Sequence, residues 1–96
     1  MVTLLSEPEV NELLGELTQW TYDAGRRALY REVRLKDFSE AIGVMMRVAL
    51  EAEKADHHPE WTNVYNRIDI WLTTHDVGGV SSRDAALARV IDGIVG

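Results

Sequence analysis

Apolar positions follow two rhythms along this chain. Val10, Leu13, Leu14 and Leu17 recur at helical spacing. Ahead of them, Ser6-Glu7-Pro8-Glu9 carries the signals of a helix start. Ser6 can cap, Glu9 can reach back to complete a capping box, and Pro8 falls in the first turn, where its missing N–H costs nothing. Trp20-Thr21-Tyr22 reads as a short strand and Asp23-Ala24-Gly25 as a turn. From Ala28 to Arg34 the rhythm becomes alternation, with Leu29, Arg31 and Val33 set against Tyr30, Glu32 and Arg34. That predicts a second strand closing a hairpin.

Asp37, with Glu40 three residues on, marks the next helix start. Phe38, Ala41, Ile42, Met45, Val48, Ala49 and Ala52 predict a long buried stripe along it. Pro59 predicts the stop, because a residue before proline is pushed out of helical geometry. His57 is then expected in the last turn and His58 just beyond it. Val64-Tyr65 and Ile68 to Thr74 read as two further strands or one bent strand, with Ile68, Ile70 and Leu72 sharing a face. Gly78-Gly79 breaks the chain. Ser81 with Asp84 starts a last helix, buried through Leu87, Ala88, Ile91, Ile94 and Val95. The order is α-β-β-α-β-β-α, and both strand pairs read as antiparallel. The expected fold is therefore α+β: a single four-stranded antiparallel sheet with three helices packed on one face. One domain is expected over residues 1–96.

Composition narrows the function classes. With 46% hydrophobic and 27% charged residues, the chain reads as an ordinary soluble globular domain. At 96 residues it is small enough that oligomerisation would help its core. A net charge of −6 argues against direct binding to nucleic acid, which needs clustered lysine and arginine. The absence of cysteine removes disulfides, thiolate nucleophiles and cysteine-based metal sites. Met1 to Glu7 has neither a basic run nor a long apolar stretch, so no signal peptide is expected, and no later run is long enough to span a membrane.

The candidate chemistry lies in the histidines. The chain has three, His57, His58 and His75, and they are its only side chains that titrate near neutrality without perturbation. Proton transfer without a nucleophile or cofactor motif is the first chemistry they suggest. Glu53 and His57 are four apart and would share a helix face. The pair reads either as a carboxylate orienting an imidazole or as a solvated end-of-helix pair. His58 reads as pocket wall or surface loop. Trp71, Thr73 and His75 fall opposite Ile70 and Leu72, so His75 projects off the helix-packed face or away at the strand mouth. Asp84 is the acidic member of a Ser81 capping box, yet it also falls on the apolar face and could hold a histidine in one tautomer. Trp20, Trp61 and Trp71 read as core or interface packing before they read as ligand stacking. Glu53, His57 and His75 would be an acceptable zinc set by ligand type, but no recognisable zinc motif is present, and acid–base chemistry is the stronger reading.

The spacing of these residues carries a resemblance. Glu53, then His57-His58-Pro59, Tyr65, His75 and Asp84 is similar to the signature of the pterin-4a-carbinolamine dehydratases. The run Arg47 to Asn66 resembles that family almost continuously, and Thr73-Thr74-His75 and Ser82-Arg83-Asp84 extend it. The likeness runs from about Trp20 to the C-terminus and is strong from Phe38 to Asp84. It implies the same fold, no metal or other cofactor, and a hydro-lyase removing water from 4a-hydroxytetrahydrobiopterin in the recycling that serves aromatic amino-acid hydroxylases. It implies His57 and His75 as the principal acid–base pair, with His58 and Asp84 supporting and shaping the site. Glu53 and Asp56 are expected at the polar pterin edge or orienting His57, and Thr73 and Thr74 to offer backbone and hydroxyl contacts. It further implies a homodimer or homotetramer through a sheet edge and an exposed part of the Phe38–Asp56 helix, and a cytoplasmic location. Some members of the family are dimerisation cofactors of a homeodomain transcription factor. A non-enzymatic protein-binding module on the same fold, a transcriptional coactivator or an assembly chaperone, therefore stands as the alternative to an enzyme, and a hydroxylase or a transcription factor is the candidate partner.

Overall fold

A computed structural model describes residues 2–96. The elements run α1 (Glu7–Glu16), β1 (Thr21–Asp23), β2 (Ala28–Arg34), α2 (Phe38–Ala55), β3 (Glu60–Val64), β4 (Arg67–Leu72), a short 3-10 turn (His75–Val77) and α3 (Ser82–Val95). The four strands form one antiparallel sheet in the order β1-β2-β4-β3. The predicted architecture is the observed one, and the two hairpins meet along β2 and β4.

Alternation decides which face is which. Leu29 and Val33 of β2, with Ile68, Ile70 and Leu72 of β4, are buried beneath the helices. Val10, Leu13 and Leu17 of α1 and Leu87, Ala88 and Ile91 of α3 complete the same core. Arg31 also lies on this helix-packed side. It pairs with Asp92 of α3, which in addition accepts a 2.9 Å hydrogen bond from the Trp20 indole. That carboxylate fastens the last turn of α3 to the sheet and leaves the Arg31 Nε without a partner among the described residues.

The stripe on α2 is narrower than its sequence suggests. Ala41, Val44, Val48 and Ala52 are the buried positions. Their small side chains let the helix lie close to the sheet. Phe38, Ile42 and Ala49 instead fall on the exposed flank, and Met45 is half-buried. They are joined there by Met46 and Leu50, at 63% and 64% exposure. The strand limits also move. β3 begins at Glu60, and Tyr65 lies in the turn with φ 52°. β4 ends at Leu72, leaving Thr73 and Thr74 beyond it. β3 is an edge strand carrying polar residues at Glu60, Thr62 and Asn63, so it lacks the apolar alternation that marks its neighbour.

The opposite face of the sheet is open and polar. There the Tyr30 hydroxyl donates to Asp69 at 2.5 Å, and Arg67 Nε donates to the other Asp69 oxygen at 2.9 Å. Burial pushes the Asp69 carboxyl up, but the Tyr30 and Arg67 hydrogen bonds and the Arg67 charge outweigh it and hold the group below its usual range. The same hydrogen bond, with burial and the Asp69 charge, pushes the Tyr30 phenol up to about 12. The signs follow from linkage. The raised phenol adds stability that is full below the ordinary tyrosine range and is lost as pH rises toward 12. The lowered carboxyl adds stability that is present above the ordinary carboxyl range and is lost as pH falls through its lowered value. An ultraviolet pH titration should therefore find one tyrosine ionising near 12, and Asp69→Asn should move that step down toward the normal range. A wild-type protein whose tyrosines all ionise together near the usual value contradicts this network.

Candidate active site

Three chain segments meet at one end of the sheet. The first is the exit from α2. Asp56 caps that helix in the left-handed conformation, φ 51°, and its backbone N–H donates to Ala52 and Glu53. The helix therefore stops before His57, not at Pro59. The i, i+4 pairing expected of Glu53 and His57 does not form. The turn instead throws His57 inward and His58 outward. His58 Nε2 lies 2.8 Å from Glu53 Oε1 on the exposed rim, while the His57 ring is buried beside α3.

The second segment is the entry to α3. Ser81 is its N-cap, and the Asp84 carboxylate accepts the Ser81 backbone N–H at 2.8 Å. Asp84 is fully buried. Its Oδ2 also accepts the Thr74 hydroxyl at 2.8 Å, and its Oδ1 lies 2.6 Å from His57 Nε2. Capping and holding a histidine are thus both done by one side chain. A carboxylate only accepts, so the His57 proton resides on Nε2, and Nδ1 is the nitrogen left for proton exchange.

The third segment follows β4. Thr73 donates its hydroxyl to the Arg27 carbonyl at 2.8 Å. Thr74 is buried, with its hydroxyl divided between Asp84 and Ser81 Oγ, the latter at 2.6 Å. It is therefore a strut beneath the site, with its hydroxyl already engaged. His75 opens the 3-10 turn with its ring 80% exposed and its Nε2 2.9 Å from Glu60 Oε2. The strand had predicted this side of the sheet for His75, and Glu60 lies on that open side opposite Trp71.

Asp56, His57, His58, Thr73, Thr74 and His75 border one cleft of about 360 Å³, together with Pro59, Glu60, Asp76 and Arg83. The volume lies in the range of about 300–1,000 Å³ usual for small-molecule sites. Glu53 is brought to its edge through His58 alone. A larger hollow of about 420 Å³ lies against Leu4, Leu5, Val10 and Tyr22, but it holds no histidine. Convergent polar groups, not size, mark the active-site candidate. No cluster of three or more metal-binding side chains forms among the described residues. Glu53, His57 and His75, the acceptable zinc set by composition, are each committed to a different partner.

The sequence profile described as pterin 4 alpha carbinolamine dehydratase matches residues 3–94. The chain belongs to that family. A relative from Rhodospirillum rubrum, provisionally named a pterin-4-alpha-carbinolamine dehydratase, is 53% identical over 96 residues, the full length of both chains. One from Burkholderia orbicola with the same provisional name is 52% identical over 93 residues, covering 97% of this chain and 91% of its own. The crystal structure of a transcriptional coactivator/pterin dehydratase from Brucella melitensis superposes with a TM-score of 0.93 at 49% identity, covering 96% of this chain and 98% of that one. The likeness to the dehydratase family therefore extends through α1, well before Trp20.

Glu60, Asp76 and Arg83 of the cleft escaped the sequence reading. Glu60 gives the third histidine its carboxylate, and the one-to-one matching of His57, His58 and His75 with Asp84, Glu53 and Glu60 needs the fold to be seen. Arg83 faces the cleft from the first turn of α3. A signal for it was present: a cation is unfavourable at a helix N-terminus, so an arginine there needs a partner or a ligand.

Because Asp84 joins all three segments, removing it should be costly. Asp84→Ala should lower unfolding free energy by about 3 kcal/mol, since it breaks a buried pair and strips partners from Thr74 and Ser81. Ser81→Ala should cost about 1 kcal/mol, the usual loss for a helix cap. Urea unfolding measures both, and an Asp84→Ala midpoint equal to wild type would show that the network carries no stability.

Proposed function

We propose that this chain is a 4a-hydroxytetrahydropterin dehydratase, with 4a-hydroxytetrahydrobiopterin as substrate, acting through His57 and His75. Membership of the family supports the substrate class. The observation that carries the mechanism is the buried Asp84–His57 pair at 2.6 Å, facing the same cleft as His75.

The reaction breaks the C4a–O bond and removes the proton on the neighbouring ring nitrogen, giving quinonoid dihydropterin and water. One imidazole protonates the departing hydroxyl and the other takes the nitrogen proton. No net proton is consumed, so a pair of imidazoles is sufficient. Asp84 holds the Nε2–H of His57 and leaves Nδ1 facing the reacting atoms. Glu60 does the corresponding work for His75 from the open face of the sheet. His58, tied to Glu53, forms the wall. Asp56 and Glu53 offer carboxylates to the amino and amide N–H groups of the pterin edge, and Thr73 offers its remaining lone pairs. Thr74 acts from below by fixing Asp84. The product is the form that a reductase returns to tetrahydropterin for an aromatic amino-acid hydroxylase, and that role carries a cytoplasmic location.

A protein-binding role is the second reading, and the exposed flank of α2 favours it. Phe38, Ile42, Met46 and Leu50 present an apolar row to solvent in a single chain. We infer that a second copy covers this row, giving a homodimer or homotetramer, with the exposed strand edges as the other contact. The Brucella melitensis protein is itself named a transcriptional coactivator as well as a pterin dehydratase, which supports a partner of another kind on this fold, and such a partner would compete for the same helix.

Folded His57→Ala and His75→Ala variants should each lose roughly 10²-fold or more in kcat/KM for carbinolamine dehydration, the usual effect of removing a positioned acid or base. His58→Ala should raise KM more than it lowers kcat. Near-wild-type turnover by a folded double variant would sink the mechanism. Light scattering at micromolar concentration should give a multiple of the single-chain mass, and Leu50→Glu should reduce it. A wild-type mass equal to one chain refutes the assembly.

A further inference from the structure

The cleft does not end at His75. It continues past Glu60, Thr73 and His75 into a second hollow of about 280 Å³ whose other walls are Arg26, Arg27 and Gly78. We propose that this shelf binds an anionic group, phosphate or carboxylate, on the substituent that a pterin carries away from its reacting ring. The inference rests on the reading of the cleft as a pterin site and extends its substrate class.

The two arginines are held in different ways. Arg26 donates its backbone N–H to Asp23 at 3.1 Å, and its guanidinium lies 3.7 Å from the centre of the Trp71 ring and 3.7 Å from Glu60. It is a fixed wall, partly neutralised by an acid that also holds His75. Arg27 has no such duty. Its side chain is exposed and its guanidinium makes no ion pair or hydrogen bond among the described residues. Its backbone sits in the left-handed region, φ 53°, where glycine would be the cheaper residue. The Thr73 hydroxyl clamps that strained unit through the Arg27 carbonyl at 2.8 Å. A strained turn position that carries a long cationic side chain, tied to the strand that leads into His75, is placed to meet a ligand.

The surroundings favour an anion. The chain as a whole carries −6, so two adjacent arginines at the mouth of the site run against its charge. Glu60 is already engaged by His75 and Arg26. Glu7 lines the apolar hollow that Arg27 and Gly78 also border, and it makes no ion pair with Arg27. Gly78 adds no side chain to the shelf wall. A guanidinium offers paired N–H donors that fit the oxygens of phosphate and carboxylate alike.

The test compares 7,8-dihydroneopterin with its 3′-phosphate, and 7,8-dihydropterin with 7,8-dihydrofolate, by titration of wild type and Arg27→Gly at low and high salt. Glycine suits the backbone at this position, so the variant should stay folded. Wild type should bind the phosphate ester about 5-fold more tightly than its parent at low salt, the gain of one exposed ion pair, and less so at high salt. In Arg27→Gly that gain should vanish while dihydroneopterin affinity holds. An Arg27-dependent gain with dihydrofolate over dihydropterin extends the shelf to carboxylates, and a gain with the phosphate ester alone restricts it to phosphates; both support it. If the ester and its parent bind wild type equally, or if the preference survives in Arg27→Gly, the shelf is not an anion site although the pterin cleft stands. If no pterin binds, the cleft reading falls and this inference falls with it.

Discussion

The fully buried Asp84 carboxylate is the constraint on which the rest of this structure depends. A charge with no access to water must be met on every side by donors. Here they come from the Ser81 backbone, the Thr74 hydroxyl and the His57 ring. Those groups belong to the start of α3, the end of the central strand β4 and the exit from α2. The need to satisfy one acid thus brings three separate segments to a common point, and that point is the floor of the cleft. On the proposed mechanism, stability and function share a residue at this position, because the carboxylate that caps α3 is also the one that holds Nε2 of His57.

The sheet divides the remaining work. Its covered face holds the apolar core, with one exception at Arg31, whose charge is met by Asp92. Its open face holds Tyr30, Asp69, Arg67, Trp71 and Arg26, linked by hydrogen bonds and by the Arg26–Trp71 stacking. Glu60 stands where the open face reaches the site, so His75 is oriented from the opposite side of the sheet to His57. Two imidazoles oriented by two carboxylates on different elements can be spaced around a planar ligand. An adjacent pair such as His57 and His58 cannot do this, because the turn after Asp56 sends their rings apart.

Much of this was legible from residue pattern. Both capping boxes, at Ser6 and Ser81, could be read directly because a cap is a local hydrogen-bond exchange between near neighbours. The strands β2 and β4 announced themselves by alternation, since one face is buried and the other is not. What could not be read was long-range or depended on backbone sign. No local rule forces Asp56 into the left-handed region, yet that one dihedral ends α2 early, separates Glu53 from His57 and gives Glu53 to His58. The same holds for Glu60, whose match with His75 spans fifteen residues and two strands. On α2 the apolar residues outnumber the places the sheet can cover, so Phe38 and Ile42 looked like core and are surface.

The central claim is that Asp84 holds His57 through its Nε2–H and leaves Nδ1 for the ligand. Long-range proton–nitrogen NMR correlation of the three histidine rings reads this directly, because the two nitrogens of a neutral ring differ according to which one bears hydrogen. The account predicts that the neutral His57 ring is locked as the Nε2–H form, and that adding 7,8-dihydrobiopterin shifts the signals of all three rings, with the His57 change concentrated at Nδ1. A neutral His57 found as the Nδ1–H form, or a bound dihydropterin that leaves the His57 and His75 signals unmoved, would contradict it.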